Sequence, residues 1–148
     1  MPSRLALIAF LGLLAGPALA DSWKYVGEGE VKFGFVPSGF NNFDPVWFRC
    51  EGGKMSVSAA LGQRRPASGR GRATLASGGR SAVIEGEVPD ENFDGLYSID
   101  APIGGDHPVF GLLEGGGAIT YQPASGKRQN LGSRGLKDAL ARFLSACR

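Results

Sequence analysis

The residues best suited to chemistry form the acidic segment Asp90-Glu91-Asn92-Phe93-Asp94-Gly95. This segment matches D-x-N-x-D-G, the first half of a calcium loop, in which oxygens at positions 1, 3 and 5 converge on the ion. Position 12 requires a bidentate glutamate, but Ala101 stands there, so the segment is not an EF-hand. We expect either an ordinary polar turn or a different calcium site. The candidate ligands of that site are Asp90, Asn92, Asp94 and Asp100.

The second segment with chemical potential, residues 63–80, is basic and contains no acidic residue. Its glycines and serines predict a long hairpin loop. Because guanidinium groups bind phosphate and carboxylate well, one interpretation is a surface for lipopolysaccharide phosphates, a glycan or an acidic protein. The alternative is a solvated loop that faces the acidic run 85–94. The candidate binding residues are Arg64, Arg65, Arg70, Arg72 and Arg80.

A third candidate surface is aromatic. Phe40 and Phe43 lie in the predicted loop 38–45, and Trp47 follows it closely. We expect these three side chains to contribute to binding of a partner, because aromatic residues are enriched at interfaces.

Catalysis and histidine-based metal binding have little support, because the chain has one histidine and two cysteines. A zinc site needs three or four His or Cys ligands, and no G-x-S-x-G segment accompanies His107. We expect His107 in the first turn of a short helix over 108–114, with Asp106 as its cap, although a strand is the alternative. A non-enzymatic protein is therefore favoured, with a hydrolase or a hydrolase inhibitor as another hypothesis.

Residues 1–20 have the three regions of a secretory signal peptide. Arg4 supplies the positive charge, Leu5–Leu14 is the apolar region, and Ala18-Leu19-Ala20 is a cleavage site before Asp21. The apolar region is shorter than the about 20 residues that span a membrane. The sequence therefore predicts a periplasmic or secreted protein with no transmembrane segment after removal of the signal peptide, and one domain over 21–148.

Export changes the meaning of Cys50 and Cys147, the only two cysteines. In an oxidising compartment they allow a single connectivity, so we expect a Cys50–Cys147 disulfide. Two buried free thiols are the alternative. The formal charge of +2 falls by one when Arg4 is removed, which gives no general attraction to nucleic acid.

The elements that position these residues are mostly strands, because apolar and polar residues alternate along the chain. Glycine accounts for 24 of 148 residues, against a typical ~7%, and it punctuates these short runs as turns. We expect a mainly β (α+β) fold: an antiparallel sandwich or a partly open barrel of about seven short strands with a docked C-terminal helix. The expected strands are at Trp23–Tyr25, Val31–Phe35, Val46–Cys50, Met55–Leu61, Ala73–Leu75, Ala82–Val88 and Ile119–Tyr121.

The C-terminal segment predicts an amphipathic helix with Ser133 at its cap, because its apolar residues recur on one helical face. Those residues are Leu136, Leu140, Phe143, Leu144 and Cys147. The segment 130–140, NLGSRGLKDAL, resembles the ending of the invasion-associated locus B family, in which a strand leads into such a helix. The resemblance implies a small exported bacterial β-rich protein of poorly known role.

The sequence thus predicts an exported, non-enzymatic binding or interaction domain. Its partner is an unidentified protein, glycan or envelope component and not a nucleic acid. The alternatives are a domain stabilised by calcium at residues 90–100, with no other cofactor, and the hydrolase or hydrolase inhibitor.

Overall fold

A computed structural model describes residues 21–38, 44–92 and 95–148. In these ranges the chain forms nine strands and two helices, so the fold is mainly β as predicted. The strands are β1 (Ser22–Val26), β2 (Val31–Val36), β3 (Val46–Glu51), β4 (Lys54–Gly62), β5 (Arg70–Ser77), β6 (Arg80–Glu87), β7 (Tyr97–Ile103), β8 (Ile119–Pro123) and β9 (Gln129–Gly132). The helices are α1 (Pro108–Glu114) and α2 (Leu136–Ala146).

All nine strands belong to one antiparallel sheet with the order β1-β2-β3-β4-β7-β6-β5-β8-β9. The sheet is not closed, and β1 and β9 are its two edges. These edges nevertheless approach each other, because the Trp23 amide donates to the Arg134 carbonyl at 2.9 Å and the Trp23 indole donates to the Gly132 carbonyl at 3.3 Å.

The alternation that predicted the strands is also the pattern of burial. In β3, Val46, Phe48 and Cys50 are buried and the residues between them are partly exposed. The tight link between β3 and β4 uses Gly52 (φ 56°) and Gly53 (φ 76°), a left-handed pair that matches the twist of a two-residue hairpin. One face of every strand therefore points into a common core.

The sheet bends where β7 lies against the β5–β6 hairpin. Gly71 and Gly86 are directly paired, and Ile99 of β7 lies over both of them. A Cβ at Gly86 would lie 2.8 Å from Ile99 Cγ2 and 2.7 Å from the Ala101 Cβ. Only hydrogen there allows so close an approach, so this glycine pair lets the sheet fold over itself.

Two strands were not predicted, which is why the total is nine and not about seven. β7 alternates buried Ile99 and Ile103 with polar residues, but Asp100 and Pro102 are both disfavoured in strands. In β9 only Leu131 is buried, so four residues carry almost no periodic signal.

Both predicted helices are present, but their caps differ from the prediction. The His107 Nδ1 atom, and not Asp106, accepts the Val109 amide of α1 at 3.1 Å. The residue that precedes α2 is Gly135 (φ 75°), and not Ser133. The backbone there passes so close to β1 that a Cβ added to Gly135 would lie 2.6 Å from the Trp23 carbonyl oxygen. A side chain at that position would collide with the backbone of β1.

The helices cover the core through aromatic contacts. Phe143 of α2 lies 5.8 Å from Phe33, and Phe110 of α1 lies 5.4 Å from Phe48, measured between ring centroids. Cys147, directly after α2, forms a disulfide with Cys50 of β3, with their Cα atoms 5.7 Å apart. This geometry is consistent with the predicted bridge and attaches α2 to the sheet.

Replacing Gly86 with alanine should lower the free energy of unfolding by about 1–3 kcal/mol, because the new methyl group overpacks the contact with Ile99. Urea denaturation measures the effect. Gly111→Ala is the control, since this exposed glycine lies in α1 with only Arg80 Nη2 near, at 3.9 Å, and alanine favours helix. Equal stability of the Gly86→Ala variant and the wild type would contradict the role of the glycine pair.

Replacing both Cys50 and Cys147 with alanine should lower the free energy of unfolding by about 2–5 kcal/mol. The reason is that the unfolded chain is no longer restricted by a covalent link between two residues that are 97 positions apart. Urea denaturation of the oxidised wild type and of the double variant gives the difference. Mass spectrometry that found two free thiols in exported protein would contradict the bridge.

Candidate functional site

Four of the five candidate arginines line one cavity of about 470 Å³. Leu61, Pro66 and Gly71 provide its less polar surface. Glu85 is the one carboxylate among the described residues that line it. We call this cavity, with Arg64, Arg65, Arg70 and Arg72, the arginine groove.

The arginine groove forms because β4 and β5 follow each other in the chain but are not neighbours in the sheet. The connection 63–69 must therefore cross the ends of β7 and β6 before β5 begins at Arg70. Arg70 and Arg72 lie on the same face of β5, since side chains two apart in a strand point the same way. The basic segment 63–80, predicted as a long hairpin loop, is thus a short crossing followed by β5, which extends the predicted strand Ala73–Leu75 at both ends.

Arg65 holds the crossing in place. Its guanidinium donates to the Val88 carbonyl from Nη2 at 2.7 Å and from Nε at 3.1 Å, and it forms an ion pair with Asp90 at 3.0 Å. The Val88 amide in turn donates to the Gly69 carbonyl at 2.9 Å. Most donors of Arg65 are therefore used within the protein.

The remaining three arginines differ in their partners. Arg72 pairs with Glu85 at 3.5 Å, and both side chains are more than half exposed, at 59% and 57%. Among the described residues, Arg64 and Arg70 are exposed and have no ion-pair partner. Two guanidinium groups at the groove are therefore available to an anion from outside.

The fifth candidate, Arg80, lies elsewhere. It begins β6 beside the turn at Gly78 and Gly79, whereas Arg70 lies opposite Glu87 in the strand register at the other end of the same hairpin. Arg80 and Arg70 are therefore separated by the length of β5, so Arg80 does not line the groove.

The aromatic candidates are only partly within the described ranges, because Phe40 and Phe43 lie outside them. Trp47 is on β3, where it points away from the core and pairs in register with Gly34 and Ser58. Its indole nitrogen donates to Asp44 Oδ2 at 2.6 Å. Trp47 does not line the arginine groove.

Two of the four calcium candidates, Asp90 and Asp100, have other neighbours in the structure. Asp90 pairs with Arg65, and Asp100 lies within β7, opposite Ser58 and Glu87. Asp94 lies outside the described residues. In the described part of the chain, no group of three or more His, Cys, Asp or Glu side chains is arranged to hold a metal ion. Calcium binding at 90–100 stays a prediction.

Two further ionisable groups have shifted pKa values. Burial raises the pKa of the Tyr121 hydroxyl, which donates to the Ala60 carbonyl across the interior of the sheet. Hydrogen bonds from Ser38 lower the pKa of the Asp21 carboxyl. The tyrosine ties β8 to the irregular end of β4 and is structural.

No known protein family, curated protein or solved structure matches this chain. The resemblance of residues 130–140 to the invasion-associated locus B family therefore stays a prediction. Within the described ranges, neither helix is long and apolar enough to cross a membrane.

Replacing Arg65 with glutamine should lower the free energy of unfolding by about 1–3 kcal/mol, because the Val88 carbonyl loses charged hydrogen-bond donors. Arg65→Lys should not restore stability, since an ammonium cannot reproduce the fork of donors. Urea denaturation tests both variants against Arg64→Gln, which should unfold as the wild type does. Equal effects of Arg65→Gln and Arg64→Gln would contradict a structural role specific to Arg65.

Proposed function

We propose that this protein is an exported, non-enzymatic binding domain and that the arginine groove binds an anionic group of its partner. The observation that carries this proposal is the pair of exposed guanidinium groups, Arg64 and Arg70, that have no ion-pair partner among the described residues. The partner is a protein, a glycan or an envelope component that carries phosphate or carboxylate groups.

The composition of the groove supports an anionic ligand. Arginine forks bind phosphate and carboxylate through two parallel hydrogen bonds, and Arg65 is already held in a fixed position by Val88. The volume of about 470 Å³ lies in the range of ligand sites, about 300–1,000 Å³. Leu61 and Pro66 offer apolar contact beside the charges.

The charge is local, which favours a defined site over general electrostatic attraction. The whole chain has a formal charge of only +2, whereas the groove has four arginines against Glu85. A ligand would therefore be recognised at short range, by hydrogen bonds to Arg64 and Arg70.

Export is proposed from the sequence of residues 1–20, and the Cys50–Cys147 disulfide is consistent with an oxidising compartment. On this proposal the binding domain is residues 21–148, in the periplasm or outside the cell. The calcium-stabilised domain and the hydrolase or hydrolase inhibitor stay as alternative hypotheses.

The double variant Arg64→Gln/Arg70→Gln should bind purified lipopolysaccharide at least tenfold more weakly than the wild type, because both guanidinium groups without an ion-pair partner are removed. Calorimetric titration measures the affinity. As a control, lipopolysaccharide from which the phosphates have been removed should have the same affinity for the wild type and for the variant. The loss should diminish as salt rises.

The matched control is Arg80→Gln/Arg148→Gln, which removes the same charge at residues that do not line the groove. This control should bind as the wild type does. Equal losses of affinity in the two double variants would mean that binding depends on net charge alone, and would overturn the groove as a binding site. Absence of wild-type binding to lipopolysaccharide and to a polyglutamate peptide would overturn the anionic ligand.

A further inference from the structure

We propose that the outer face of the sheet around Trp47 is a second binding site and that it takes a neutral oligosaccharide. This face shares no lining residue with the arginine groove and does not depend on the function proposed for it. Two features lie on this face: an indole ring that lies flat on the sheet, and a polar cavity lined by Arg49, which is two residues after Trp47 on the same face of β3.

The ring of Trp47 lies flat because its neighbour in register is Gly34. A Cβ at Gly34 would lie 2.5 Å from Trp47 Cδ2 and 2.7 Å from Cε3, so the indole occupies the space of the missing side chain. One face of the ring is therefore against β2, and the opposite face points away from the sheet. The hydrogen bond to Asp44 fixes the ring in its plane.

This cavity, which Trp47 itself does not line, has a volume of about 880 Å³. Arg49 and Ser56, which pair in register on the same outer face, line the cavity together with the carboxylates of Glu30, Glu51 and Asp100. Arg49 Nε lies 3.2 Å from Glu30 Oε1, so the positive charge is already balanced. This balance distinguishes the site from the arginine groove and disfavours an anionic ligand.

The chemistry of these groups fits the hydroxyls and C–H faces of a sugar. Carboxylate oxygens of Glu30 and Asp100 accept hydrogen bonds from hydroxyls, and the Arg49 guanidinium and the Ser56 hydroxyl donate to sugar oxygens. A flat aromatic ring gives a large apolar surface for the C–H face of a pyranose at little entropic cost.

The spacing also fits more than one sugar unit. Trp47, Ser58 and Asp100 form one row across β3, β4 and β7. With about 4.8 Å between neighbouring strands, Trp47 and Asp100 stand roughly 10 Å apart. A saccharide that runs along this row, with one ring stacked on Trp47, has its next unit over Ser58, towards Asp100.

Lys32 is the group that a ligand must move. Its Nζ atom lies 5.3 Å from the centroid of the Trp47 ring and 3.8 Å from Glu30 Oε2, and its side chain is 35% exposed. This partly exposed lysine moves at modest energetic cost, because its cation–π contact is worth about 0.5–1 kcal/mol and a surface ion pair such as that with Glu30 adds about 0–1 kcal/mol. After displacement, its ammonium can donate to a sugar hydroxyl.

The chain's two tryptophans provide the test, because Trp23 is 2% exposed and only Trp47 lies on the outer face. The mature protein is titrated with cellohexaose, maltohexaose, xylohexaose and chitohexaose. At least one should change the tryptophan emission, with the response arising from Trp47. No response to any of the four, or a response only to an anionic saccharide such as heparin, would overturn the proposal.

Calorimetry on variants then locates the site. Trp47→Ala should lower the affinity at least tenfold, whereas Trp47→Phe should retain part of it. Asp100→Asn, at an exposed position, should lower the affinity several-fold without a change in unfolding, which covers the case that Trp47→Ala fails to fold. The Arg64→Gln/Arg70→Gln variant should bind the saccharide with wild-type affinity. Loss of anion binding at the arginine groove can therefore be distinguished from loss of saccharide binding at Trp47. Wild-type affinity in both the Trp47→Ala and Asp100→Asn variants would overturn the site.

Discussion

The contact of Ile99 with the paired glycines Gly71 and Gly86 is the constraint on which the shape of the sheet depends. β6 and β7 share a single registered pair, Glu87 and Asp100, so backbone hydrogen bonds do little to hold them together. The close approach of Ile99 holds them instead, because no Cβ stands between it and the β5–β6 hairpin. Beyond this bend the sheet faces itself, and the Tyr121 hydroxyl of β8 reaches the Ala60 carbonyl of β4 across the core.

Much of the fold can be predicted from local sequence patterns. The features that cannot be predicted in this way depend on residues that are distant in the chain. Alternation predicts the strands that have a full row of buried residues, 3.6-residue periodicity predicts α2, and the residues that flank 108–114 predict α1, because these signals arise within a few neighbouring residues. The local pattern does not predict β7, because Asp100 and Pro102 are disfavoured in strands although Ile99 and Ile103 are buried on one face. The cap of α2 depends on Gly135 passing close to the Trp23 carbonyl, a contact that no local pattern contains.

The candidate sites show the same division. The sequence identified the arginines by type, but the crossing order of the strands decides that four meet in one groove and that Arg80 lies at the far turn. Arg65 differs from Arg64 through its hydrogen bonds to the Val88 carbonyl, 23 residues away in the chain, and its ion pair with Asp90. The sequence marks Trp47 as an aromatic residue near a loop, whereas its flat position on the sheet depends on Gly34 of the neighbouring strand.

The bridge between Cys50 and Cys147 gives the chain an unusual covalent layout. It encloses the segment from the end of β3 to the last turn of α2 in one ring, and leaves the β1–β2 hairpin on a short arm outside it. A protease that cuts one peptide bond inside the ring opens it into a branched molecule but releases nothing. Both proposed binding surfaces include residues of the ring, so a single nick leaves Arg64, Arg70 and Asp100 covalently joined to the rest of the protein.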